Sequence, residues 1–207
     1  MEGRRERKKQ QTRQAISDVA TALFMERGFD AVTVAEVARA ADVAVQTVFN
    51  HFPTKEDLFF DEPGWWKGPA QAILEAPDGT DPVDALERHY LDEIRERLEA
   101  GHLATWKQFN RTIEKSPALL ARRRLYAAQL ETRLAEALQE RGFEPLKSRL
   151  IAAQYAAAQK VLEDELVRVL PDDASQADLK AAQAQLESAA AEVFAVLRHG
   201  IRFNGKA

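Results

Sequence analysis

The sequence of 207 residues contains no cysteine. Disulfide bonds, thiolate metal sites and a cysteine nucleophile are therefore excluded, and the composition fits a reducing compartment. Apolar stretches are short, and none approaches the roughly 20 residues that a membrane-spanning helix needs. The charged N-terminus lacks the apolar stretch of a secretory signal, so we expect a cytoplasmic protein that does not contact the membrane.

Recognisable catalytic motifs are missing as well. The four histidines are scattered, and the chain has no HExxH, no GxSxG and no glycine-rich phosphate loop. Acidic pairs such as Asp92-Glu93 lie among charged neighbours on helical patterns, as solvated helix faces do. We therefore predict that the protein is not an enzyme and needs no cofactor and no metal.

Charge is distributed unevenly along the chain. Residues 1–55 hold nine Lys and Arg against seven Asp and Glu, whereas the remainder holds 20 against 26. Most of the basic excess falls in residues 1–12, which we predict to be a disordered basic arm. Charge alone is equally compatible with contact to phosphates and with a solvated tail.

Helical periodicity and end signals begin immediately after this arm. An apolar stripe with helical spacing marks a first helix that Gly28 ends, namely Ile16, Val19, Ala20, Leu23 and Phe24. Thr33 and Glu36 have the spacing of a capping box that starts a second helix. A third short helix runs from about Ala44 to His51 and stops before Pro53, after which Thr54 caps a fourth.

The rest of the chain also has helical patterns, with starts at Asp81-Pro82 and Ser116-Pro117 and an irregular stretch over residues 63–81. We find no pattern that predicts a strand. The predicted fold is therefore all-α, with about nine helices. It comprises an N-terminal three-helix helix-turn-helix head, residues 1–53, and a C-terminal helical bundle for effector binding and dimerisation, residues 54–207.

The second helix of a helix-turn-helix enters the DNA major groove, so its outward side chains decide what it reads. On the helix from Ala44, the amides of Gln46 and Asn50 can pair with base edges and Val45 can touch a thymine methyl group. Thr47, His51 and Lys55 have side chains suited to phosphates.

Residues 33–38 (TVAEVA) and 43–58 (VAVQTVFNHFPTKEDL) resemble the TetR family of regulators, and the resemblance extends over about residues 12–60. It implies a DNA-binding head, a divergent body that often binds a small ligand, and dimerisation through the last two helices. Such regulators usually repress, and the ligand usually releases DNA. The resemblance also implies phosphate contacts at Thr33, Thr47, the aromatic at position 49, His51 and Lys55, and base contacts at positions 45, 46 and sometimes 49.

Two positions depart from the family pattern. Ala44 replaces the usual serine, so it can neither cap the third helix nor bond a phosphate. Phe49 replaces the usual tyrosine and loses the hydroxyl group, so we expect an apolar contact to sugar or thymine.

Alanine-rich faces mark the predicted dimer helices, about residues 146–170 and 175–199. The alternative is that these faces pack within one chain. The alanines are at positions 152, 153, 156, 157, 158, 181, 182, 189, 190 and 191.

An apolar or aromatic small-molecule effector is a further hypothesis, because large apolar side chains line pockets. The same side chains also fill ordinary cores. The candidates are Phe59, Trp65, Trp66, Ile73, Tyr90, Trp106, Phe109 and Tyr126.

Together these features predict a homodimeric regulator that binds a palindrome in double-stranded DNA. The alternative is a non-enzymatic adaptor whose helix-turn-helix binds a protein partner.

Overall fold

The computed structural model describes residues 3–61, 68–99, 103–171 and 174–200. Within these ranges the chain forms ten helices connected by turns and loops and contains no strand, which confirms the all-α prediction. The helices are α1 (Arg4–Arg27), α2 (Val34–Ala40), α3 (Val45–His51), α4 (Lys55–Phe59), α5 (Gly68–Glu75), α6 (Pro82–Glu99), α7 (Leu103–Lys115), α8 (Pro117–Glu140), α9 (Pro145–Val169) and α10 (Gln176–His199).

The number of helices exceeds the predicted nine. The short helix α5 falls in the stretch that we expected to be irregular, residues 63–81. Its alanines favour helix, and Ile73 anchors it by burial in an apolar core.

Helix α1 starts much earlier than the sequence suggested. The expectation of a disordered arm over residues 1–12 is wrong for residues 4–12, which are helical. The Arg, Lys and Gln residues of this segment favour helix. Because extending a formed helix is easier than nucleating one, the helix that packs beyond residue 13 extends towards the N-terminus. The hydroxyl of Thr12 also donates to the carbonyl of Lys8 at 3.0 Å.

The described part of the chain divides into two compact units. The first contains residues 3–61 together with Arg111–Arg122, and the second contains the remaining described residues. The first unit therefore extends past the end of the predicted head at residue 53. That functional boundary stays a prediction, since α4 and the start of α8 belong to the same compact unit as the helix-turn-helix.

End signals in the first unit work as predicted. At Gly28, φ is +83°, a backbone conformation that side-chain-bearing residues rarely adopt, and α1 ends there. Thr33 and Glu36 form the capping box of α2, and Thr54 caps α4 with Asp57. The turn between α2 and α3 passes through Asp42 with a φ of 53°, a region that Asp tolerates better than most residues do.

An aromatic cluster fills the core of the first unit. The ring centre of Phe24 lies 5.2 Å from that of Phe29 and 5.8 Å from that of Phe59. The three rings meet at tilted and edge-on angles, which aromatic pairs favour. This cluster joins α1 to α4.

The second unit has its own apolar core, to which α5, α6, α8, α9 and α10 contribute buried side chains. Helix α10 packs against both α9 and α6. Arg198 near the end of α10 pairs with Asp84 and Glu87 on α6. The predicted helix starts at Asp81-Pro82 and Ser116-Pro117 coincide with those of α6 and α8.

Of the helices in the described ranges, none is both long enough and apolar enough to cross a bilayer.

A pair of matched substitutions tests this assignment of core and surface. Phe24→Ala should lower the free energy of unfolding by about 3–5 kcal/mol, because the ring is 1% exposed and its loss leaves a cavity. Phe49→Ala should change it by less than about 1 kcal/mol, because that ring is 42% exposed. Chemical denaturation followed by circular dichroism measures both, and equal effects would show that the core is misassigned.

Candidate nucleic-acid interface

Helix α3 divides its side chains between the core and the solvent. Val48 in the middle of α3 and its C-cap residue Phe52 are each 1% exposed and pack into the first unit. Val45 and Phe49 are 41% and 42% exposed, and the amides of Gln46 and Asn50 lie at the surface beside them. All four predicted base-contact residues therefore lie on the exposed side of one helix.

The two amides of this surface bond each other. Nε2 of Gln46 donates to Oδ1 of Asn50 at 3.1 Å, one helical turn away. Each side chain retains further donor and acceptor groups that face solvent, since both residues are exposed. The bond holds the two amides side by side, and hydrogen bonds to base edges could replace it.

The N-terminus of α3 lacks a side-chain cap, as the sequence predicts. Ala44 is the N-cap residue and makes no side-chain cap. The helix is only seven residues long, so its position depends on packing and on contacts at its other end.

Two predicted phosphate-contact side chains bond other groups of the first unit. The hydroxyl of Thr33 donates to Glu36 at 2.8 Å and accepts from the Glu36 amide at 3.2 Å. The ammonium of Lys55 donates to the carbonyl of Phe29 at 2.5 Å and lies 4.0 Å from the centre of its ring. Burial lowers the pKa of Lys55. To donate to a phosphate, the Thr33 hydroxyl would have to release Glu36, whereas the Lys55 ammonium has further N–H donors besides the one on the Phe29 carbonyl.

The other two predicted phosphate contacts, Thr47 and His51, are half-buried on α3. Burial lowers the pKa of the His51 imidazole, and the positive charges of Arg13 and Lys9 lower it further. At neutral pH the ring of the protein without DNA is therefore mostly uncharged.

Arg13 holds the C-terminal end of α3 in place, a role that the sequence did not predict. Its guanidinium donates to the carbonyl of His51 at 2.6 Å, pairs with Asp61 and covers the ring of Phe52 at 4.1 Å. It thereby connects α1 to the C-terminal end of α3. The spacing of the sequence could have indicated this role, because Arg13 precedes the buried Ile16 and Ser17 by three and four residues and so lies on the same face of the helix.

The basic residues ahead of Arg13 line an exposed helix. Arg5, Arg7, Lys8 and Lys9 all lie at the surface of α1. Helical order fixes these charges relative to α3, which a disordered arm would not do.

The predicted pocket residues do not all lie together. Phe59 belongs to the aromatic core of the first unit. Trp65 and Trp66 lie outside the described residues. The remaining five belong to the second unit, namely Ile73, Tyr90, Trp106, Phe109 and Tyr126.

Two short packed helices, the second of which exposes amide side chains, form the arrangement found in helix-turn-helix DNA-binding proteins. Comparison with known proteins identifies the family. A sequence model described as "Bacterial regulatory proteins, tetR family" matches residues 16–61. The HTH-type transcriptional regulator TcmR of Streptomyces glaucescens is 30% identical over 179 residues, covering 79% of this chain and 76% of the relative. The chain belongs to the tetR family.

Solved structures agree on the fold. Salmonella enterica GusR superimposes with a TM-score of 0.55 at 16% identity, over 91% of this chain and 94% of its own. Thermus thermophilus FadR, a transcriptional repressor in complex with lauroyl-CoA, gives 0.52 at 21% identity, over 94% and 98%. Membership of the tetR family makes the protein a helix-turn-helix transcriptional regulator that binds DNA, and the alternative of a protein-binding adaptor receives no support.

The contacts of Arg13 lead to a prediction for DNA binding. Arg13→Lys keeps the charge but loses the planar group that serves His51, Asp61 and Phe52 together. We expect affinity for a duplex selected by the wild-type protein to fall about 5- to 20-fold, corresponding to about 1–2 kcal/mol. The salt dependence of binding should not change, because the number of cations is the same.

Arg27→Lys is the matched control. Arg27 bonds Ala31 and Glu36, which are not on α3, and its ion pair with Glu36 is exposed, with an N–O distance of 2.8 Å. Fluorescence anisotropy across a salt series measures both variants. Wild-type affinity in the Arg13 variant would mean that α3 is held in place without this contact.

Proposed function

We propose that this regulator is a ligand-responsive repressor that binds a palindromic operator as a homodimer. The observation that carries the proposal is the exposed surface of α3, where Gln46 and Asn50 lie between Val45 and Phe49 on a packed head. Repression is supported by the solved relative FadR, which is described as a transcriptional repressor.

In the proposed complex, α3 lies in the major groove. The amides of Gln46 and Asn50 can each pair with N6 and N7 of an adenine, while Val45 and Phe49 contact thymine methyl groups. Thr33, Thr47, His51 and Lys55 contact the flanking phosphates, which sets the register of the helix on the duplex. For Thr33 this requires replacement of its bond to Glu36, whereas Lys55 can keep its bond to the Phe29 carbonyl and use another N–H.

Exposed apolar side chains on α9 support a dimer interface. Leu146 is 76% exposed, and Leu150 and Val161 are each 56% exposed. With the exposed Ala153 and Ala157 they form a stripe of spacing three and four along one face. The opposite face, which includes Tyr155 and Leu162, is buried in the second unit. Contiguous exposed apolar side chains are a feature of protein–protein interaction surfaces.

Helix α10 supplies a second, flatter stripe. Ala181, Ala184, Ser188, Ala191 and Ala195 are all exposed and repeat at spacings of three and four. Small side chains let two helices approach closely. The predicted alanines thus serve both interpretations: Ala152, Ala158, Ala182 and Ala190 are buried within the chain, whereas Ala153, Ala157, Ala181 and Ala191 are available to a second copy.

An effector in the second unit completes the proposal. The solved relative FadR holds lauroyl-CoA, a molecule with a long apolar part. In this chain, Ile73 and Tyr90 lie in the apolar core and Trp106 packs against it. We propose that an apolar or aromatic molecule binds among these residues and reduces the affinity of the head for DNA.

Base reading predicts a selective loss. Gln46→Ala and Asn50→Ala should each lower the affinity for the selected duplex by about 5- to 100-fold, equivalent to about 1–3 kcal/mol per base contact. Binding to random DNA should change little, because it depends on phosphates. Gln14→Ala, an exposed amide on α1 bonded to Asp18, is the matched control. Equal losses on selected and random duplexes would rule out base contacts by these amides.

If α9 forms the dimer interface, a charged side chain placed on its exposed apolar stripe should dissociate the dimer. Leu150→Glu or Val161→Glu should convert a dimer into monomers at micromolar concentration, because the carboxylate would be buried against a second copy. Leu125→Glu is the matched control, because Leu125 is 54% exposed on α8. Sedimentation equilibrium measures the mass of each, and a wild-type monomer or a Leu150→Glu dimer would place the interface elsewhere.

A further inference from the structure

The first turns of α1 carry a dense set of cations. Residues 4–13 contain six Lys and Arg against one acidic residue, Glu6. Four of the cationic side chains are exposed and form no ion pair within the described ranges, namely Arg5, Arg7, Lys8 and Lys9. A surface with this excess of positive charge attracts a polyanion.

Two of these cations share one side of α1 with Arg13. Arg5, Lys9 and Arg13 follow each other at a spacing of four residues, which places them one above the other along the helix. Successive residues of a helix are about 100° apart, so Arg7 lies on the opposite side of α1 from Lys9. We call Arg5 and Lys9 the α1 stripe, and Arg7 and Lys8 lie on other sides of the helix.

The α1 stripe is aligned with the C-terminal end of α3. Arg13 donates to the carbonyl of His51, the last residue of α3, at 2.6 Å. Besides burial and Arg13, the positive charge of Lys9 lowers the pKa of the His51 imidazole, so Lys9 lies near the same end of α3. Arg5 follows one helical turn further along. The α1 stripe therefore continues from the surface that is proposed to bind DNA.

The length of the α1 stripe fits the dimensions of a duplex. A helix rises 1.5 Å per residue, so Lys9 lies about 6 Å and Arg5 about 12 Å along α1 from Arg13. The major groove that would receive α3 is about 12 Å wide. Phosphates border this groove, so cations at these distances can reach phosphates that α3 itself does not cover.

Repulsion along this side of α1 also favours an anionic partner. Arg5 with Lys9, and Lys9 with Arg13, are like-charge pairs at a spacing of four, which destabilises a helix. Arg13 is partly neutralised by Asp61, whereas the α1 stripe has no acidic partner within the described ranges. Phosphates beside the stripe would remove this repulsion, and the duplex would release the counterions that it holds when free.

We propose that Arg5 and Lys9 bind phosphates of the duplex beside the groove that α3 occupies, so that α1 forms a second contact to DNA next to the helix-turn-helix. This inference rests on the proposed docking of α3 and adds two phosphate contacts to it. The helical state of residues 4–12 fixes both cations on the side of α1 that lies next to α3.

Two double variants of equal charge test the α1 stripe. Arg5→Gln combined with Lys9→Gln should weaken duplex binding about 10- to 50-fold at about 0.1 M salt. The slope of log affinity against log salt concentration should become shallower by about 2, as expected for the loss of two phosphate contacts. The loss should be the same on selected and random duplexes, because phosphates carry no sequence information.

Arg7→Gln combined with Lys8→Gln is the matched control, because it also removes one Arg and one Lys from exposed positions of the same helix turns. We expect binding to weaken less than about 3-fold and the slope to change by less than about 1, because salt screens charges that do not contact DNA. Fluorescence anisotropy across a salt series measures both double variants, and circular dichroism checks that each retains its helix content.

Glu6→Gln provides a gain of affinity that misfolding cannot imitate. Glu6 precedes Lys9 by three residues and Arg13 by seven, so it lies beside the α1 stripe. Replacing its carboxylate by a neutral amide removes an anion close to the proposed phosphates. Duplex binding should therefore become about 2- to 5-fold tighter at low salt.

Equal losses in the two double variants would overturn the proposal, because total charge rather than one side of α1 would then decide the affinity. An unchanged salt slope in the variant without the α1 stripe would overturn it as well, and so would weaker binding by Glu6→Gln. Wild-type binding that survives removal of the stripe contradicts only the contact by α1. Failure of the wild-type protein to bind any duplex would overturn the proposed function together with this contact.

Discussion

The exposed surface of α3 depends on a helix that is too short to be stable by itself. Helix α3 has seven residues and no side-chain cap at its start, and an isolated helix of this length is unstable in water. It is held by Val48 and Phe52, which enter the core of the first unit, and by the bond from Arg13 to the carbonyl of His51. The amides proposed to read DNA therefore owe their position to contacts made on the other side of the helix, which would couple recognition of DNA to the stability of the head.

A similar division of faces organises the second unit. Helix α9 buries Tyr155 and Leu162 on one side and exposes Leu150 and Val161 on the other. One helix can thus contribute to a core and to a proposed interface between copies. The core it serves is not purely apolar, because it encloses the phenol groups of Tyr90 and Tyr155.

Local signals made much of this architecture predictable. The capping box of Thr33 with Glu36 and the stop at Gly28 depend on residues close together in the chain, and the structure has both where the sequence places them. The exposed amides of Gln46 and Asn50 followed from helical spacing. The helical state of residues 4–12 did not follow, because a charged segment gains its order from continuity with the packed part of α1, which charge patterns do not reveal.

The sequence by itself determined the all-helical class, the helix-turn-helix and the side of α3 that faces solvent, since each is encoded by spacing within a few residues. Only the tertiary structure decided where Lys55 and Arg13 point. Lys55 bonds the carbonyl of Phe29, 26 residues away, and Arg13 bonds that of His51, 38 residues away. Long, flexible cationic side chains can reach many partners, so their choice depends on which carbonyls and rings the folded chain brings near, and no local pattern contains that information.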